Sequence, residues 1–253
     1  MDGILKRLKE KYTVNIHFKD NPFEMFIRTI LSQNTNDTNR DRAYKRLKEN
    51  FDDLTPENLA NADLKKIEDA IKVAGLYRIK SVRIHEISKY IMDNFDGNIV
   101  KILNLPFKEA RKKLIELKGI GYKTADIMLL FYCDHPTIPI DTHITRVSKR
   151  LGFVEQDEKY EKIRESLEKF IETDSSVYKE SHLLLIELGR DTCNAIKPKC
   201  KICIVESLCP KLIKKRVKKK VKKKVKSKSK KKSKKKTKKK TKKLSRGTKK
   251  TKK

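Results

Sequence analysis

Apolar residues recur at the spacing of an α-helix along most of this chain, and this pattern limits the possible folds more than any other feature. Two stretches show it most clearly, with apolar side chains that fall on one helix face: Phe23, Phe26, Ile27, Ile30 and Leu31, and then Ile163, Leu167, Phe170 and Ile171. Because alternating strand patterns are nearly absent, the sequence predicts an all-α fold.

Short motifs that contain Pro, Gly, Asn or Asp separate predicted helices of roughly 10 to 15 residues. These motifs are Asn21-Pro22, Thr55-Pro56-Glu57, Asp96-Gly97-Asn98, Leu105-Pro106 and His135-Pro136. Thr55 before Pro56 is typical of an N-cap followed by the first helical position. The motifs therefore predict many short helices joined by tight turns.

Lysine dominates residues 211–253, and this segment carries almost all of the net charge of +32. It holds 28 of the 65 Lys and Arg residues and no Asp or Glu, which leaves 37 basic and 33 acidic residues before it. We expect 211–253 to be disordered, because so few apolar residues cannot bury enough surface to fold alone. The charge favours nucleic acid as a partner, with an anionic membrane surface or simple solubility as alternatives.

Four of the five cysteines lie close together, at Cys193, Cys200, Cys203 and Cys209. Four thiolates in one segment can close around a 4Fe–4S cluster or a tetrahedral zinc ion, and their spacing alone does not separate the two. Metal ligation fits this clustering better than a disulfide framework does. The same loop carries three lysines that we expect to contact DNA phosphates: Lys197, Lys199 and Lys201.

The chain has no apolar run of about 18 residues and its N-terminus lacks an apolar signal core. We therefore expect a soluble, intracellular protein of the cytoplasm or nucleoid with no membrane partner.

A helix–hairpin–helix is predicted at residues 117–125, between two helical apolar patterns. Gly119 and Gly121 flank the apolar Ile120, so the backbone can turn sharply and bring amide N–H groups to the start of a helix. Such groups hold a phosphate without reading bases. The alternative is a plain corner between two helices that has no role in DNA binding.

Two charged residues follow the hairpin. Lys123 falls at the start of the second helix, where the helix dipole disfavours an ammonium ion and can lower its pKa toward the free amine of a nucleophile. A solvated surface lysine is the alternative. Asp141 is predicted to be an N-cap, and the same carboxylate could face a developing positive charge on a sugar or assist Lys123 or a water molecule.

Together these residues resemble the helix–hairpin–helix DNA glycosylases, and within them the endonuclease III family, over about residues 20 to 210. The resemblance rests on motifs in a fixed order: Leu31-Ser32-Gln33-Asn34-Thr35-Asn36-Asp37, Gly75-Leu76-Tyr77, the hairpin ending in Lys123, Pro136-Thr137-Ile138, Asp141-Thr142-His143-Ile144-Thr145-Arg146-Val147, and Leu188-Gly189-Arg190-Asp191-Thr192-Cys193.

The resemblance implies a two-lobed all-α fold with DNA across the cleft. Residues 22–132 would form a six-helix lobe with the hairpin, residues 1–21 and 133–210 an iron–sulfur cluster lobe, and 211–253 the tail. The four cysteines would hold a 4Fe–4S cluster. Lys123 matches the family's nucleophile and Asp141 its paired aspartate. The resemblance therefore implies an enzyme that acts on double-stranded DNA with damaged bases or abasic sites, and we expect a monomer.

The family also implies side chains that fill the space of a flipped base, and here this sequence departs from the usual pattern. Relatives tend to have Gln where Asn34 aligns, so Asn34 or its neighbour Gln33 would fill the gap, and Leu76 resembles the apolar wedge of a second loop. The resemblance implies removal of a damaged base, an oxidised pyrimidine in particular, and β-elimination through a Schiff base on Lys123.

Two other functions stay open at this point. One is a mismatch glycosylase that removes uracil, thymine or adenine, against which the presence of Lys123 argues. The other is a non-catalytic iron–sulfur protein that binds nucleic acid, which would need the hairpin glycines but neither Lys123 nor Asp141.

Overall fold

The computed structural model describes residues 1–16 and 21–213, so most of the predicted lysine tail lies outside the described residues. The described chain is built from α-helices and short 3-10 helices without a strand, which confirms the all-α prediction. The α-helices are α1 Asp2–Lys11, α2 Pro22–Ser32, α3 Asp37–Asn50, α4 Pro56–Ala60, α5 Leu64–Ile71, α6 Tyr77–Phe95, α7 Val100–Leu103, α8 Phe107–Glu116, α9 Tyr122–Cys133, α10 Thr142–Leu151, α11 Tyr160–Phe170 and α12 Ser175–Asp191.

Capping residues set many of these helix boundaries. The Thr55 side chain accepts a hydrogen bond from the Asn58 N–H, and Pro56 opens α4, as the sequence predicts. Asn21 caps α2 in the same way through the Phe23 N–H. At the other end of a helix, Asp96 has a φ of 50° and ends α6 in the left-handed region.

Two hydrophobic cores organise the helices. The first lies among α2 to α9 and includes the fully buried Phe26 and Leu47. The second joins α1 to α10, α11 and α12 and includes Leu8 and Leu185. Both lie within one compact unit, Met1–Leu212. The residue limits of the two lobes, 22–132 against 1–21 with 133–210, stay a prediction.

A buried polar network joins helices from both cores. The Asp126 carboxylate on α9 is fully buried and accepts two hydrogen bonds from Arg111 on α8, at 2.6 and 2.9 Å, and one from the Tyr160 hydroxyl on α11, at 2.8 Å. Arg111 also pairs with Glu161, at 2.7 Å. The buried charge of Asp126 is therefore paired, which avoids the large cost of an isolated buried ion. None of the described helices combines the length and apolarity that a membrane crossing requires.

Candidate active site in a helical cleft

The predicted hairpin lies between α8 and α9. Gly119 has a φ of +80°, in the left-handed region that favours glycine, and a Cβ there would lie 1.9 Å from Nε of Arg83. Gly121 has a φ of −104° and forms the N-cap of α9, with no atom within 4 Å of an added Cβ. Ile120 is buried between them. The turn therefore has the predicted shape, but only Gly119 needs to be glycine for its own conformation.

A cleft of about 790 Å³ opens beside this hairpin. Its walls come from α2 and the loop after it, the start of α3, α9 along most of its length, the first turn of α10, and α12. Lys123, Asp141 and His182 all line it. The volume lies within the range of small-molecule sites and is sufficient for one nucleoside.

Lys123 is the amine in this cleft, in the first turn of α9. It forms no hydrogen bond or ion pair with another described residue. Burial lowers the pKa of its amine, and the charge of Arg190 adds to this, while the carboxylates of Asp141 and Asp37 partly oppose it. Burial therefore causes the shift that the sequence attributes to the helix dipole, and the free amine is more populated than in a solvated lysine.

Asp141 is the N-cap of α10, as predicted: its Oδ1 accepts a hydrogen bond from the Ile144 N–H at 2.7 Å. In the described part of the chain its other carboxylate oxygen has no hydrogen bond. Its charge reaches both Lys123 and the buried His182. The structure thus brings together the two residues that the sequence predicts to act as a pair.

His182 is a residue that the sequence analysis missed. It lies on α12, is 3% exposed, and its Nδ1 is 2.9 Å from the Pro139 carbonyl, two residues before Asp141. Burial lowers its pKa to about 4, and the charge of Lys123 also lowers it while Asp141 opposes this. The ring is therefore neutral near pH 7 and donates from Nδ1 to the carbonyl. No spacing pattern marks this histidine, because its position depends on how α12 packs.

The two predicted wedge residues, Asn34 and Leu76, lie in separate loops, and the loop of Asn34 contacts the hairpin through Gln33. Asn34 is exposed with a φ of 53°, and Leu76 is 51% exposed with a φ of 50°. Gln33, in contrast, points inward: its Nε2 lies 3.4 Å from both the Gly119 carbonyl and the Thr124 hydroxyl, and Arg83 donates to its Oε1. Asn34 is therefore more accessible than Gln33 as a side chain that could enter the duplex. The wedge roles of the Asn34 and Leu76 loops stay predictions.

The four cysteines of the C-terminal loop are free thiols, all half-buried. Burial raises the pKa of Cys203, a hydrogen bond with the Val205 backbone opposes this, and the other three cysteines as thiolates raise the pKa further, so Cys203 lies within electrostatic reach of all three. The Arg150 guanidinium lies 3.3 Å from the Cys193 sulfur, and the Lys211 N–H donates to the Cys209 sulfur at 3.3 Å.

Within residues 1–16 and 21–213, no group of three or more His, Cys, Asp or Glu side chains has the arrangement that holds a metal ion. The role of the cysteines as ligands therefore stays a prediction. The predicted phosphate-binding lysines of the loop, Lys197, Lys199 and Lys201, are exposed, and Lys199 lies 3.7 Å from Asp191.

Comparison with known proteins identifies the family. Residues 27–173 match the HhH-GPD superfamily base excision DNA repair protein model. The chain is 32% identical to endonuclease III of Thermotoga maritima over 83% of this chain and 92% of the relative, and 38% identical to that of Sulfolobus acidocaldarius over 75% and 82%. It therefore belongs to the HhH-GPD superfamily of base excision DNA repair proteins, and its relatives place it among the DNA glycosylases and lyases.

Solved structures agree with this assignment. A trapped endonuclease III–DNA covalent intermediate superposes with a TM-score of 0.71 at 30% identity, over 83% of this chain and 94% of that one. A thermostable thymine-DNA glycosylase superposes with a TM-score of 0.67 at 19% identity, which shows the shared fold alone. The two-lobed helix–hairpin–helix glycosylase fold that the sequence predicts is thus confirmed.

Proposed function

We propose that this protein removes damaged bases, oxidised pyrimidines in particular, from double-stranded DNA and then cleaves the strand 3′ to the abasic sugar. Lys123 is the nucleophile and Asp141 is its paired carboxylate. The observation that carries this proposal is the half-buried amine of Lys123, which has a lowered pKa and no hydrogen-bond or ion-pair partner among the described residues, in the same cleft as Asp141.

The first reaction breaks the glycosidic bond. The damaged nucleotide leaves the base stack and enters the cleft. The lone pair on Nζ of Lys123 forms a bond to C1′, while the bond from C1′ to the base breaks and the base leaves with the electron pair and takes up a proton. Asp141 faces the positive charge that develops on the sugar, and the hydrogen bond from the Ile144 N–H holds this carboxylate in place.

The second reaction cuts the strand. The amine loses a proton and the sugar ring opens, which leaves a Schiff base between Lys123 and C1′. Removal of a C2′ proton then drives β-elimination, in which the bond between C3′ and its oxygen breaks and the phosphate leaves. A lysine at this position supports such a covalent path, whereas a glycosylase that uses only water would need no amine in the cleft.

Backbone contacts hold the duplex in this proposal. The N–H groups at the hairpin of Gly119 and Gly121 would bind a phosphate at the start of α9, and Lys197, Lys199 and Lys201 would contact the backbone from the cysteine loop. The lysine-rich segment 211–253 would raise non-specific affinity. We place the protein as a monomer in the compartment that holds the DNA, the cytoplasm or nucleoid.

The cysteine loop would hold a 4Fe–4S cluster through Cys193, Cys200, Cys203 and Cys209. Four free thiols, an N–H donor to one sulfur and a guanidinium beside another fit such a group, because both contacts stabilise negative charge on thiolate ligands. When bound, the cluster would supply a cross-link within the loop, and the reaction above uses none of its electrons.

Borohydride trapping tests the nucleophile. It reduces a Schiff base to a stable amine, so wild-type protein should form a covalent complex with a duplex that contains an abasic site or dihydrouracil. Lys123→Ala should abolish the complex but retain binding of the duplex, since the hairpin is untouched. Lys112→Ala, an exposed lysine on α8, is the matched control and should trap like wild type. Undiminished trapping by Lys123→Ala would place the nucleophile elsewhere.

A further inference from the structure

Lys80 is a buried lysine without a carboxylate partner in the described part of the chain. It lies on α6, is 1% exposed, and its Nζ donates to two backbone carbonyls, that of Leu31 at 2.8 Å and that of Ala74 at 3.0 Å. Lysine is almost never fully buried unless it is paired, because removal of an ammonium ion from water is costly. The two carbonyls offset part of that cost, and burial still lowers the pKa of the Lys80 amine to about 8.

The two carbonyls belong to the bases of two separate loops. Leu31 is in the last turn of α2, just before the segment with Asn34, and Ala74 directly precedes Gly75 and Leu76. Asn34 and Leu76 both have a positive φ, which asparagine adopts readily but which is rare for leucine and persists there only where neighbouring structure holds it. Both are also exposed. The amine of Lys80 thus ties together two loops with exposed tips, one of which is strained at Leu76.

Arg83, one turn further along α6, extends this connection to the hairpin. It donates to the Gln33 side chain of the first loop and fills the space where a Cβ of Gly119 would lie. Gln33 in turn faces the Gly119 carbonyl. The helix face with Lys80 and Arg83 therefore sets the relative positions of both loops and of the hairpin that precedes Lys123.

We propose that Lys80 is a positioning residue whose bonds to Leu31 and Ala74 hold the two loop tips, Asn34 and Leu76, at the separation at which both enter the duplex as the damaged base leaves it. This inference rests on the proposed function, because the loops can take part in base extrusion only if the protein removes bases from a duplex. Methionine could fill the same buried volume, but it has no N–H group to fix either carbonyl. The lysine therefore serves the geometry of the loops and not only their packing.

The test compares two substrates in single-turnover reactions of the full-length protein. One duplex carries dihydrouracil paired with a purine, which must be unpaired and unstacked, and the other carries an abasic site, where no base pair must break. Lys80→Met should slow excision of the paired base about tenfold and strand cleavage at the abasic site less than about threefold, because loss of wedge geometry affects extrusion most. Lys89→Met, an exposed lysine on the same helix, should match wild type on both.

Equal slowing on both substrates, or no slowing, would overturn the inference, since a purely structural lysine lowers the amount of active protein without changing the ratio of the rates. If Lys80→Met does not fold, Lys80→Gln is measured by the same ratio, because its shorter neutral side chain cannot reach both carbonyls. Wild-type protein that neither excises dihydrouracil nor cleaves the abasic site would instead refute the proposed function, and this inference with it.

Discussion

At the scale of single residues, Lys123 and Asp141 differ in how their environments act on them. Lys123 is desolvated, which disfavours its charged form, whereas Asp141 is held in place by a hydrogen bond from the Ile144 N–H. The carboxylate also raises the pKa of the lysine. Burial therefore favours the free amine that can attack, and the carboxylate partly opposes this effect.

This balance predicts the pH dependence of strand cleavage. Since the free amine reacts, the rate should rise with pH and level off above the pKa of Lys123, which lies below the ordinary 10.5. Asp141→Asn keeps an N-cap but removes the charge that raises this pKa, so the rising limb should move to lower pH while the maximal rate falls.

Single-turnover cleavage of an abasic duplex from about pH 5 to 10 measures this limb. Asp174→Asn alters another N-cap, that of α12, and is the control that should leave the profile in place. A limb that stays fixed or moves to higher pH in Asp141→Asn would show that the two groups do not interact as the structure indicates.

Sequence could predict Lys123 and Asp141 because each lies at a helix start that local signals mark: the glycine hairpin for one and the N-cap pattern for the other. It could not predict His182 or Lys80. Both are buried by contacts between segments far apart in the chain, as between His182 and Pro139 or Lys80 and Leu31. Periodicity assigns such residues to a helix but does not show what their polar atoms contact.

At the scale of secondary-structure elements, the hairpin contains two glycines that look equivalent in the sequence but differ in the conformation they adopt. Gly119→Ala should lower the free energy of unfolding by about 1–2 kcal/mol, because an L residue is strained in the left-handed region. Its Cβ would also displace Arg83 from Gln33. Gly121→Ala has free space and an ordinary φ, so its change should stay within about 0.5 kcal/mol.

Urea unfolding of both variants, followed by circular dichroism, measures this difference. Equal destabilisation would mean that the turn relaxes around either methyl group and that Gly119 is not specially required. DNA affinity adds a second comparison: Gly121→Ala should fold normally, so any loss of its affinity reports the approach of a phosphate to the start of α9 rather than damage to the turn.

The all-α fold class could be predicted from the helical spacing of apolar residues. Most helix starts could be predicted from capping motifs, as at Thr55-Pro56 and Asn21-Pro22. The sequence could not predict which helices pack against one another. Asp126 sits in an apolar run of α9, where the pattern gives no reason for a charge, and only the packing of α8 and α11 against it reveals Arg111 and Tyr160 as its partners. Tyr160 in turn accepts the Ile140 N–H, beside Asp141.

At the scale of the whole molecule, the cysteine loop connects distant parts of the chain. Arg7 of α1 donates to the Ile204 carbonyl and the Ser207 hydroxyl, at 3.2 and 2.6 Å. From α10, Arg150 donates to the carbonyls of Cys193 and Asn194, at 3.2 and 2.7 Å. The helix that Asp141 caps is thereby attached to the same loop as the N-terminal helix.

These contacts predict that loss of the proposed cluster destabilises more than the loop. Cys200→Ser should remove the absorption near ~400 nm of anaerobically purified protein and lower the Tm by about 10 °C or more, because metal binding free energy becomes folding free energy. Cys133→Ser is the matched control: this thiol donates to the Leu103 carbonyl on the other core, so the absorption should remain. Colourless wild-type protein with stoichiometric zinc would contradict the cluster, and a Tm unchanged in Cys200→Ser would show that α1 and α10 hold the loop without any metal.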